Sequence, residues 1–148
     1  MSGVLDKRCV VTGANSGIGK AIATELARRG AEVVMVCRSR ARGEEARADV
    51  IAKSASARVS LMICDVGDMD SVRSFAASWK ARGAGRTQID VLFNNAGLYL
   101  PNRVLSPQGY ELMFAINHLG PFLMTNLLAD EVAGGRVITT SSVAHSWG

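Results

Sequence analysis

Short apolar runs of strand length alternate along this chain with longer segments in which apolar residues recur at helical spacing. The short runs cover residues 8–12, 32–37, 58–64, 89–93 and 136–141. Their nearly continuous apolar character is typical of strands in a parallel sheet that helices cover on both faces. Repeated strand–helix–strand units with right-handed crossovers then predict an α/β fold with a doubly wound parallel sheet.

The first predicted helix begins in the glycine-rich stretch 13–19. Its apolar residues are spaced to form one buried face, which consists of Ile18, Ala21, Ile22 and Leu26. Gly30 is predicted to end this helix, because glycine readily takes the left-handed conformation that follows a helix.

Three further helices are predicted, at residues 41–53, 68–82 and 107–129. The last of them is expected to kink at Gly120-Pro121, since proline has no N–H to donate within a helix. In the helix at 68–82, the apolar spacing predicts a buried stripe of Val72, Phe75, Ala76 and Trp79.

These elements predict one domain over residues 1–148, because this length is enough for a single hydrophobic core and no linker interrupts it. The expected strand order is 3-2-1-4-5, so the order reverses between strands 1 and 4. Ligands of such sheets bind outside the carboxyl ends of the strands at that reversal. The sequence therefore predicts a binding crevice at the ends of strands 1 and 4.

Composition and charge narrow the classes of function. Apolar residues make up 48% and charged residues 20% of the chain, as in ordinary globular proteins. The 17 basic and 13 acidic residues leave a net charge of +4, and Arg38, Arg40 and Arg42 form the tightest basic group. This group suits a single phosphate, whereas a nucleic-acid duplex would need a longer basic stripe. No nucleic-acid partner is expected.

The sequence contains no apolar stretch of about 18 residues or more and no N-terminal signal core, which favours a cytoplasmic location. Membrane association through other parts of a longer protein stays open. Cys9, Cys37 and Cys64 stand singly in apolar runs without any CxxC pair. We interpret them as small buried residues of a reduced protein, with neither a disulfide nor a metal site.

The stretch TGANSGIG, residues 12–19, joins the first strand to the first helix. Glycines let the backbone approach a pyrophosphate closely, and a helix N-terminus offers unpaired N–H groups with partial positive charge. A structural turn without a ligand is the alternative interpretation. The strand–turn–helix context favours a dinucleotide site that includes Gly13, Asn15, Ser16, Gly17, Ile18 and Gly19.

The spacing Gly13-x3-Gly17-x-Gly19 resembles the TGxxxGxG motif of the classical type of the short-chain dehydrogenase/reductase family, whose members have the Rossmann fold. The resemblance covers essentially all 148 residues. It implies that Asp65 and Val66, after strand 3, contact the adenine. It also implies that Asn94-Asn95-Ala96-Gly97, which is similar to the family's NNAG motif, lies beside the adenosine ribose, with Asn95, Ala96 and Gly97 as cofactor contacts.

The resemblance also implies two catalytic residues. Asn117 is similar to the asparagine that holds a water in the family's proton relay, and Ser142 to the serine that hydrogen-bonds the carbonyl oxygen. Within the family, YELMFAINHLGPFLMTNLL and SSVAHSWG are most similar to the retinol-dehydrogenase-like branch. Neither His118 nor His145 has a second ligand at metal spacing or a Ser-His-Asp context, so packing or surface roles are expected for both.

The end of strand 2 indicates which dinucleotide binds. An NAD enzyme usually places a carboxylate there for the ribose 2′-hydroxyl, and this carboxylate would repel a 2′-phosphate. Here the strand continues into Arg38-Ser39-Arg40, without an acid. Because arginine forms forked, charged hydrogen bonds to phosphate, we predict NADP(H) in preference to NAD(H), with Arg38 as a cofactor contact. Solvated turn arginines are the alternative.

The family's catalytic tyrosine, and the lysine four residues after it, are absent from these 148 residues. The chain contains only Tyr99 and Tyr110, which precede Ser142 and are followed four residues later by Arg103 and Phe114. In relatives the pair lies in the helix after strand 5. We therefore expect the chain to be a fragment that lacks the family's C-terminal strands and helices, with a natural short form as the alternative.

Two hypotheses of different class follow. The first is an NADP(H)-dependent oxidoreductase that interconverts an alcohol and a carbonyl of a small, retinoid-, steroid- or lipid-like substrate, with a homo-oligomer allowed. The second is a catalytically inactive dinucleotide-binding module that acts as a sensor or partner subunit. A Tyr-x3-Lys beyond residue 148 would favour the enzyme, and a true stop codon the module. A nucleotide-sugar epimerase fits less well, because epimerases resemble TGxxGxxG at the glycine loop.

Overall fold

A parallel sheet forms the centre of the fold. The computed structural model describes residues 3–83, 85 and 87–142. Its five parallel strands, in the order β3-β2-β1-β4-β5, confirm the doubly wound Rossmann architecture and the strand order expected from the sequence. The strands are β1 (Arg8–Thr12), β2 (Glu32–Cys37), β3 (Val59–Ile63), β4 (Val91–Asn94) and β5 (Arg136–Thr139).

Three strands differ from their predicted bounds by one or two residues. β3 is shorter by one residue at each end, and β5 ends two residues before the predicted 141. β4 begins at Val91 and not at Ile89, because the N–H of Ile89 donates to the carbonyl of Glu131, at 2.7 Å, outside the sheet.

Helices α1 (Gly17–Arg28), α2 (Arg40–Ser54) and α3 (Met69–Lys80) follow the first three strands. α1 and α2 pack on one face of the sheet, and α3 packs on the other with the helix that follows β4. The buried stripe predicted for α3 is confirmed, because Val72, Phe75, Ala76 and Trp79 are at most 3% exposed. Asp68, predicted as the first residue of α3, is its N-cap.

The buried face of α1 agrees with the prediction only in part, since Leu26 and the partly buried Ile22 pack against the core as expected. Leu26 is buried, but Ile18 is 64% exposed and Ala21 is exposed as well. The stripe that faces the sheet consists of small residues, Gly19, Ala23 and Ala27, beside Leu26. Small side chains let the helix approach the sheet closely, and this requirement outweighs the burial of the larger Ile18. Gly30 ends α1 as predicted, at φ +85° after the C-cap Arg29.

The single long helix predicted at 107–129 is wrong at both ends. Residues 105–111 form a turn in which Leu105 pairs with Glu111 and Gly109 takes φ +81°. The Glu111 carboxylate then accepts hydrogen bonds from the N–H groups of Met113 and Phe114, at 3.0 and 2.7 Å, and so starts the helix. Glutamate and glycine at these positions form the cap that periodicity alone does not reveal.

The helical segment after this cap has three parts: α4 (Leu112–Phe114), a π-helical turn (Ala115–Leu119) and α5 (Gly120–Leu127). The expected irregularity therefore lies before Pro121, which stands in the first turn of α5, where no N–H is needed. The N–H of Gly120 donates to the carbonyl of Ala115, five residues earlier, as a π-helical turn requires.

β5 lies at one edge of the sheet, and all four of its residues are exposed. Val137 and Ile138, on opposite faces of the strand, are 42% and 43% exposed. Within residues 3–83, 85 and 87–142, nothing pairs with the outer edge of β5. In the same described part of the chain, no helix has the length and apolar character needed to cross a bilayer.

Candidate functional site

A cavity of about 550 Å³ lies at the carboxyl edge of the sheet. Its walls are the glycine loop (residues 13–19), the β3 loop (residues 64–67) and the β4 loop (residues 95–98). The residues predicted to contact a cofactor all line it: Gly13, Asn15, Ser16, Gly17, Ile18, Gly19, Arg38, Asp65, Val66, Asn95, Ala96 and Gly97.

Seven further residues line this cavity and were not predicted as cofactor contacts, although Arg42 belongs to the basic group that suits a phosphate. Most of them follow or end a strand beside a predicted residue, so their position at the carboxyl edge of the sheet was the available signal. Thr140 directly follows β5 and carries the same signal, whereas Ile116 comes from the helix after β4, and only the tertiary structure reveals its place. The seven are Val36, Ser39, Arg42, Cys64, Leu98, Ile116 and Thr140.

The three glycines of the loop have different reasons to be glycine. A Cβ on Gly13 would lie 2.8 Å from the Cα of Ala96, and a Cβ on Gly19 would lie 2.5 Å from the carbonyl oxygen of Gly13. These two positions are therefore constrained by contacts within the protein. Gly17, at φ +51°, has no atom within 4 Å of its Cβ position, so that space remains open for a ligand.

The N-terminus of α1 carries no side-chain cap and no acidic residue in its first turn. By contrast, Ser39 caps α2 and Asp68 caps α3 with side-chain oxygens. Uncapped N–H groups and the partial positive charge of a helix N-terminus attract an anion. Because Ser16 and Gly17 line the cavity, this end of α1 gives one cavity wall the partial charge and free N–H groups that suit an anion.

Thr12 joins the glycine loop to the β4 loop. Its hydroxyl oxygen accepts hydrogen bonds from the N–H groups of Asn95 and Ala96, at 3.0 Å each, and donates to the Phe93 carbonyl. The Asn95 amide donates to the Thr12 carbonyl at 3.0 Å, and its oxygen accepts from the Thr140 hydroxyl at 3.2 Å. Asn95 therefore holds the cavity wall together through its side chain. Thr12, which is 1% exposed, was not predicted to have this role.

The β3 loop forms the end of the cavity that is next to β2. One carboxylate oxygen of Asp65 accepts from the N–H of Gly67 at 2.9 Å, which fixes the loop. Cys64 lies below it, and burial raises the pKa of its thiol to about 11. A thiol with this pKa is protonated and unreactive at neutral pH. Val66 and Ile116 supply apolar surface to the same end.

Arg38, Ser39 and Arg42 line the cavity, whereas Arg40 does not. A helical turn explains the difference, since Arg38 directly follows β2 while Arg42 lies at the third position of α2, one turn further along. The Ser39 hydroxyl accepts from the N–H of Arg42 at 3.4 Å and keeps the two arginines in one region. Asp65 is the one acidic residue among the lining residues, so this region has a positive balance.

The two predicted catalytic residues do not line the cavity. Asn117, in the π-helical turn, clamps the backbone of Leu98: its Oδ1 accepts from the Leu98 N–H and its Nδ2 donates to the Leu98 carbonyl, both at 2.9 Å. Leu98 itself lines the cavity. Ser142 is exposed, three residues after the end of β5.

The described residues include no group of three or more His, Cys, Asp or Glu side chains that could hold a metal ion. His118 stacks between Phe114 and Phe122, with ring centroids 5.2 and 6.3 Å away, on the exposed side of the helix. His145 lies outside the described residues. Cys9, Cys37 and Cys64 are buried and free.

The sheet topology and the cavity at its reversal point define the class as that of Rossmann-fold proteins, which bind ligands at this place in the sheet. The family model described as short chain dehydrogenase matches residues 7–147. The chain therefore belongs to the short-chain dehydrogenase family.

Two curated relatives place the chain more closely. Dehydrogenase/reductase SDR family member 13 of Bos taurus is 44% identical over 145 residues, which is 96% of this chain and 37% of that protein. Retinol dehydrogenase 12 of Bos taurus is 43% identical over 145 residues, 96% of this chain and 45% of that protein. The similarity to the retinol-dehydrogenase-like branch is thereby confirmed. The chain spans less than half the length of these relatives.

Solved structures have the same fold. An uncharacterised protein from Mycobacterium Paratuberculosis is 40% identical, with a TM-score of 0.80 over 95% of this chain and 48% of that chain. A metagenomic short-chain oxidoreductase in complex with NADP is 29% identical, with a TM-score of 0.80 over 97% of this chain and 65% of that chain.

Proposed function

We propose that this chain is the cofactor-binding part of an NADP(H)-dependent oxidoreductase that interconverts an alcohol and a carbonyl. The observation that carries the proposal is the open space above Gly17, at the uncapped N-terminus of α1. Neither feature serves the packing of the protein, and together they suit the pyrophosphate of a dinucleotide.

The remaining walls suit the rest of a dinucleotide. The apolar surface of Val66 and Ile116, with Asp65 beside it, would hold the adenine, and Asn95, Ala96 and Gly97 would lie along the ribose. A cavity of about 550 Å³ is within the range of small-molecule and cofactor sites. When bound, the nicotinamide supplies or accepts the hydride of the reaction.

NADP(H) is proposed in preference to NAD(H). Arg38 and Arg42 both line the cavity next to the end of β2, where an NAD enzyme usually carries an acid. Two guanidinium groups can form charged, forked hydrogen bonds to a 2′-phosphate. A relative of the same fold that was solved in complex with NADP agrees with this assignment.

For the chemical step, Ser142 is proposed to donate a hydrogen bond to the carbonyl oxygen of the substrate. Asn117 is proposed to support the site through its two bonds to Leu98. The 148 residues contain no Tyr-x3-Lys that could supply the proton, so we expect this chain to bind the dinucleotide without efficient turnover.

An apolar alcohol or carbonyl, such as a retinoid, steroid or other lipid-like compound, is the proposed substrate class. The support is the 43% identity to a protein named retinol dehydrogenase 12. A test is to add NADPH and retinaldehyde to this chain and to a version extended at its C-terminus with the remaining C-terminal part of that relative. We expect oxidation of NADPH only by the extended version, and the module hypothesis predicts none by either.

Nucleotide binding is tested with the variant Gly17→Ala. Its methyl group would enter the space proposed for the pyrophosphate, so we expect the Kd for NADPH to rise by about tenfold or more. Gly134→Ala is the matched control, because Gly134 also has positive φ and open space but lies away from the cavity. Both changes place alanine in the left-handed region and should cost about 1 kcal/mol of stability. Fluorescence titration measures the Kd for NADPH. An unchanged Kd in Gly17→Ala would refute the proposal.

A further inference from the structure

Gly120 brings the helix after β4 into direct contact with the β3 loop. A Cβ on Gly120 would overlap the carbonyl oxygen of Val66 and lie 2.9 Å from the Val66 carbonyl carbon. Val66 lines the cavity, whereas Gly120 does not. The backbone of the cavity wall therefore rests against the helix at a position where only glycine fits.

Gly67 forms a second contact between the same two elements. A Cβ on Gly67 would lie 2.7 Å from Cγ1 of Ile116 and 3.2 Å from Cδ1 of Leu112. Ile116 is 5% exposed and also lines the cavity. The β3 loop and the π-helical turn are therefore packed so closely that no room is left for a methyl group between them.

The next residue of the π-helical turn holds the opposite wall. Asn117 forms both of its hydrogen bonds with the backbone of Leu98, at 2.9 Å each. A Cβ on Gly97, beside Leu98, would lie 3.3 Å from Oδ1 of Asn117, so the β4 loop also lies close to this side chain. Adjacent residues, Ile116 and Asn117, thus contact two different walls of one cavity.

We propose that residues 115–120, named here the coupling segment, transmit displacements of the β3 loop to the β4 loop, and that Gly67 and Gly120 are positioning residues for the cavity. The inference rests on the proposed function for its ligand, because an occupied β3 end would fix the coupling segment and, through Asn117, the backbone of Leu98. Binding of the adenosine half then orders the wall across the cavity. Energetic coupling of this kind is reciprocal.

The first test measures amide hydrogen exchange at Leu98 in the nucleotide-free chain. In Gly67→Ala the added methyl group presses on Ile116, and we expect the Leu98 N–H, which is bonded to Asn117, to exchange about tenfold faster. The amide of Val34, in the middle of β2, is the internal control for global stability. Equal acceleration at Leu98 and Val34, or no acceleration at Leu98, would overturn the proposal.

Rescue tests whether the effect passes through the coupling segment. Ile116→Ala removes the Cγ1 and Cδ1 atoms that the new methyl group meets. We expect the Leu98 N–H to exchange as slowly in the double variant Gly67→Ala/Ile116→Ala as in Ile116→Ala alone. If the two substitutions accelerate this exchange additively, the effect of Gly67→Ala does not pass through Ile116. If Gly67→Ala does not fold, Ile116→Val, which removes only the δ-methyl group, should still accelerate Leu98 by about twofold relative to Val34.

The second test uses 2′,5′-ADP, which carries the adenosine half of NADP without the nicotinamide. In the unaltered chain we expect its binding to slow the exchange of Leu98, and in Gly67→Ala we expect its Kd to rise by about fivefold. Binding without any change at Leu98 would overturn the coupling while leaving the proposed function intact. Absence of binding to the unaltered chain would contradict the proposed function. The coupling would still be tested by the exchange of Leu98 in the nucleotide-free chain with and without Gly67→Ala.

Discussion

At the residue scale, the three glycines of the glycine loop have different structural roles. Gly13 and Gly19 are required by Ala96 and by the Gly13 carbonyl, so a side chain at either position would push the glycine loop away from the β4 loop. Gly17 is favoured by its positive φ alone, because no protein atom lies within 4 Å of its Cβ position. Loss of binding without loss of the fold is therefore expected from substitution at Gly17, and disruption of the fold from substitution at Gly19.

The arginines at the end of β2 give the sharpest residue-scale prediction. Arg38→Ala and Arg42→Ala should each raise the Kd for NADPH by about tenfold, because each would remove a proposed charged hydrogen bond to the 2′-phosphate. The Kd for NADH, which has no 2′-phosphate, should change by less than about twofold. Isothermal titration calorimetry with both nucleotides measures the difference.

Arg40→Ala is the matched control for this series, because Arg40 carries the same charge but does not line the cavity. It should leave both dissociation constants close to those of the unaltered chain. If all three variants weaken NADPH equally, the effect is a general electrostatic one, and the assignment of Arg38 and Arg42 is refuted.

At the scale of elements, the helix after β4 depends on the Glu111 carboxylate. The hydrogen bonds that it accepts from Met113 N–H and Phe114 N–H hold the pKa of Glu111 below its usual value of 4.5. A carboxylate with a lowered pKa in the folded state adds stability above pH 4.5, and this contribution is lost as the pH falls through the folded-state pKa.

This cap predicts a pH-dependent difference between two proteins. Glu111→Gln removes the charge that titrates, so its melting temperature should lie below that of the unaltered chain at pH 7 and approach it on acidification below pH 4.5. Circular dichroism measures the melting temperature of both proteins at each pH. The difference between the two melting temperatures removes the contribution of the other carboxylates that titrate in the same range, because both proteins contain them. A constant difference from pH 7 to pH 3 would contradict the capping role.

Elements with a strong local pattern were predictable from the sequence. The β-branched run of β2 and the stripe of α3 are found as expected, since burial on both sides of a parallel sheet leaves a clear pattern. The start of the buried face of α1 and the turn at 105–111 were not predictable, because they depend on contacts of Gly19 with the glycine loop and on the Glu111 cap. Sequence periodicity does not contain such contacts.

The candidate site follows the same division. Residues at the carboxyl ends of the strands were named because topology alone brings them together. The joining role of Thr12 and the placement of Ile116 arise from hydrogen bonds and packing between segments far apart in the chain. Whether Arg40 or Arg42 lines the cavity depends on the first turn of α2, and the spacing of the arginines in the sequence does not show this.

At the scale of the whole molecule, the two edges of the sheet differ. β3 is partly covered by α2, whereas every residue of the edge strand β5 is exposed. An exposed edge strand with apolar side chains offers unpaired N–H and C=O groups to another chain. Self-association through β5 is therefore the expected behaviour of this chain at high concentration.

Val137→Lys tests this expectation. A lysine on the edge strand should reduce self-association by charge repulsion and so lower the weight-average mass in light scattering. Ala129→Lys adds the same charge at an exposed position before the strand and serves as the control. Equal effects of both substitutions would show that net charge, and not the edge of β5, controls association.

The hydrogen bonds between Thr12 and Asn95 join residues that are 83 positions apart. The binding cavity therefore does not exist until the fourth strand has docked beside the first, which is a late event for a chain made from its N-terminus. The proposed nucleotide would bind only the docked form, and at 100 times its Kd it would add about 2.7 kcal/mol to the stability of that form. Cellular dinucleotide levels would then set the fraction of newly made chains that escape proteolysis.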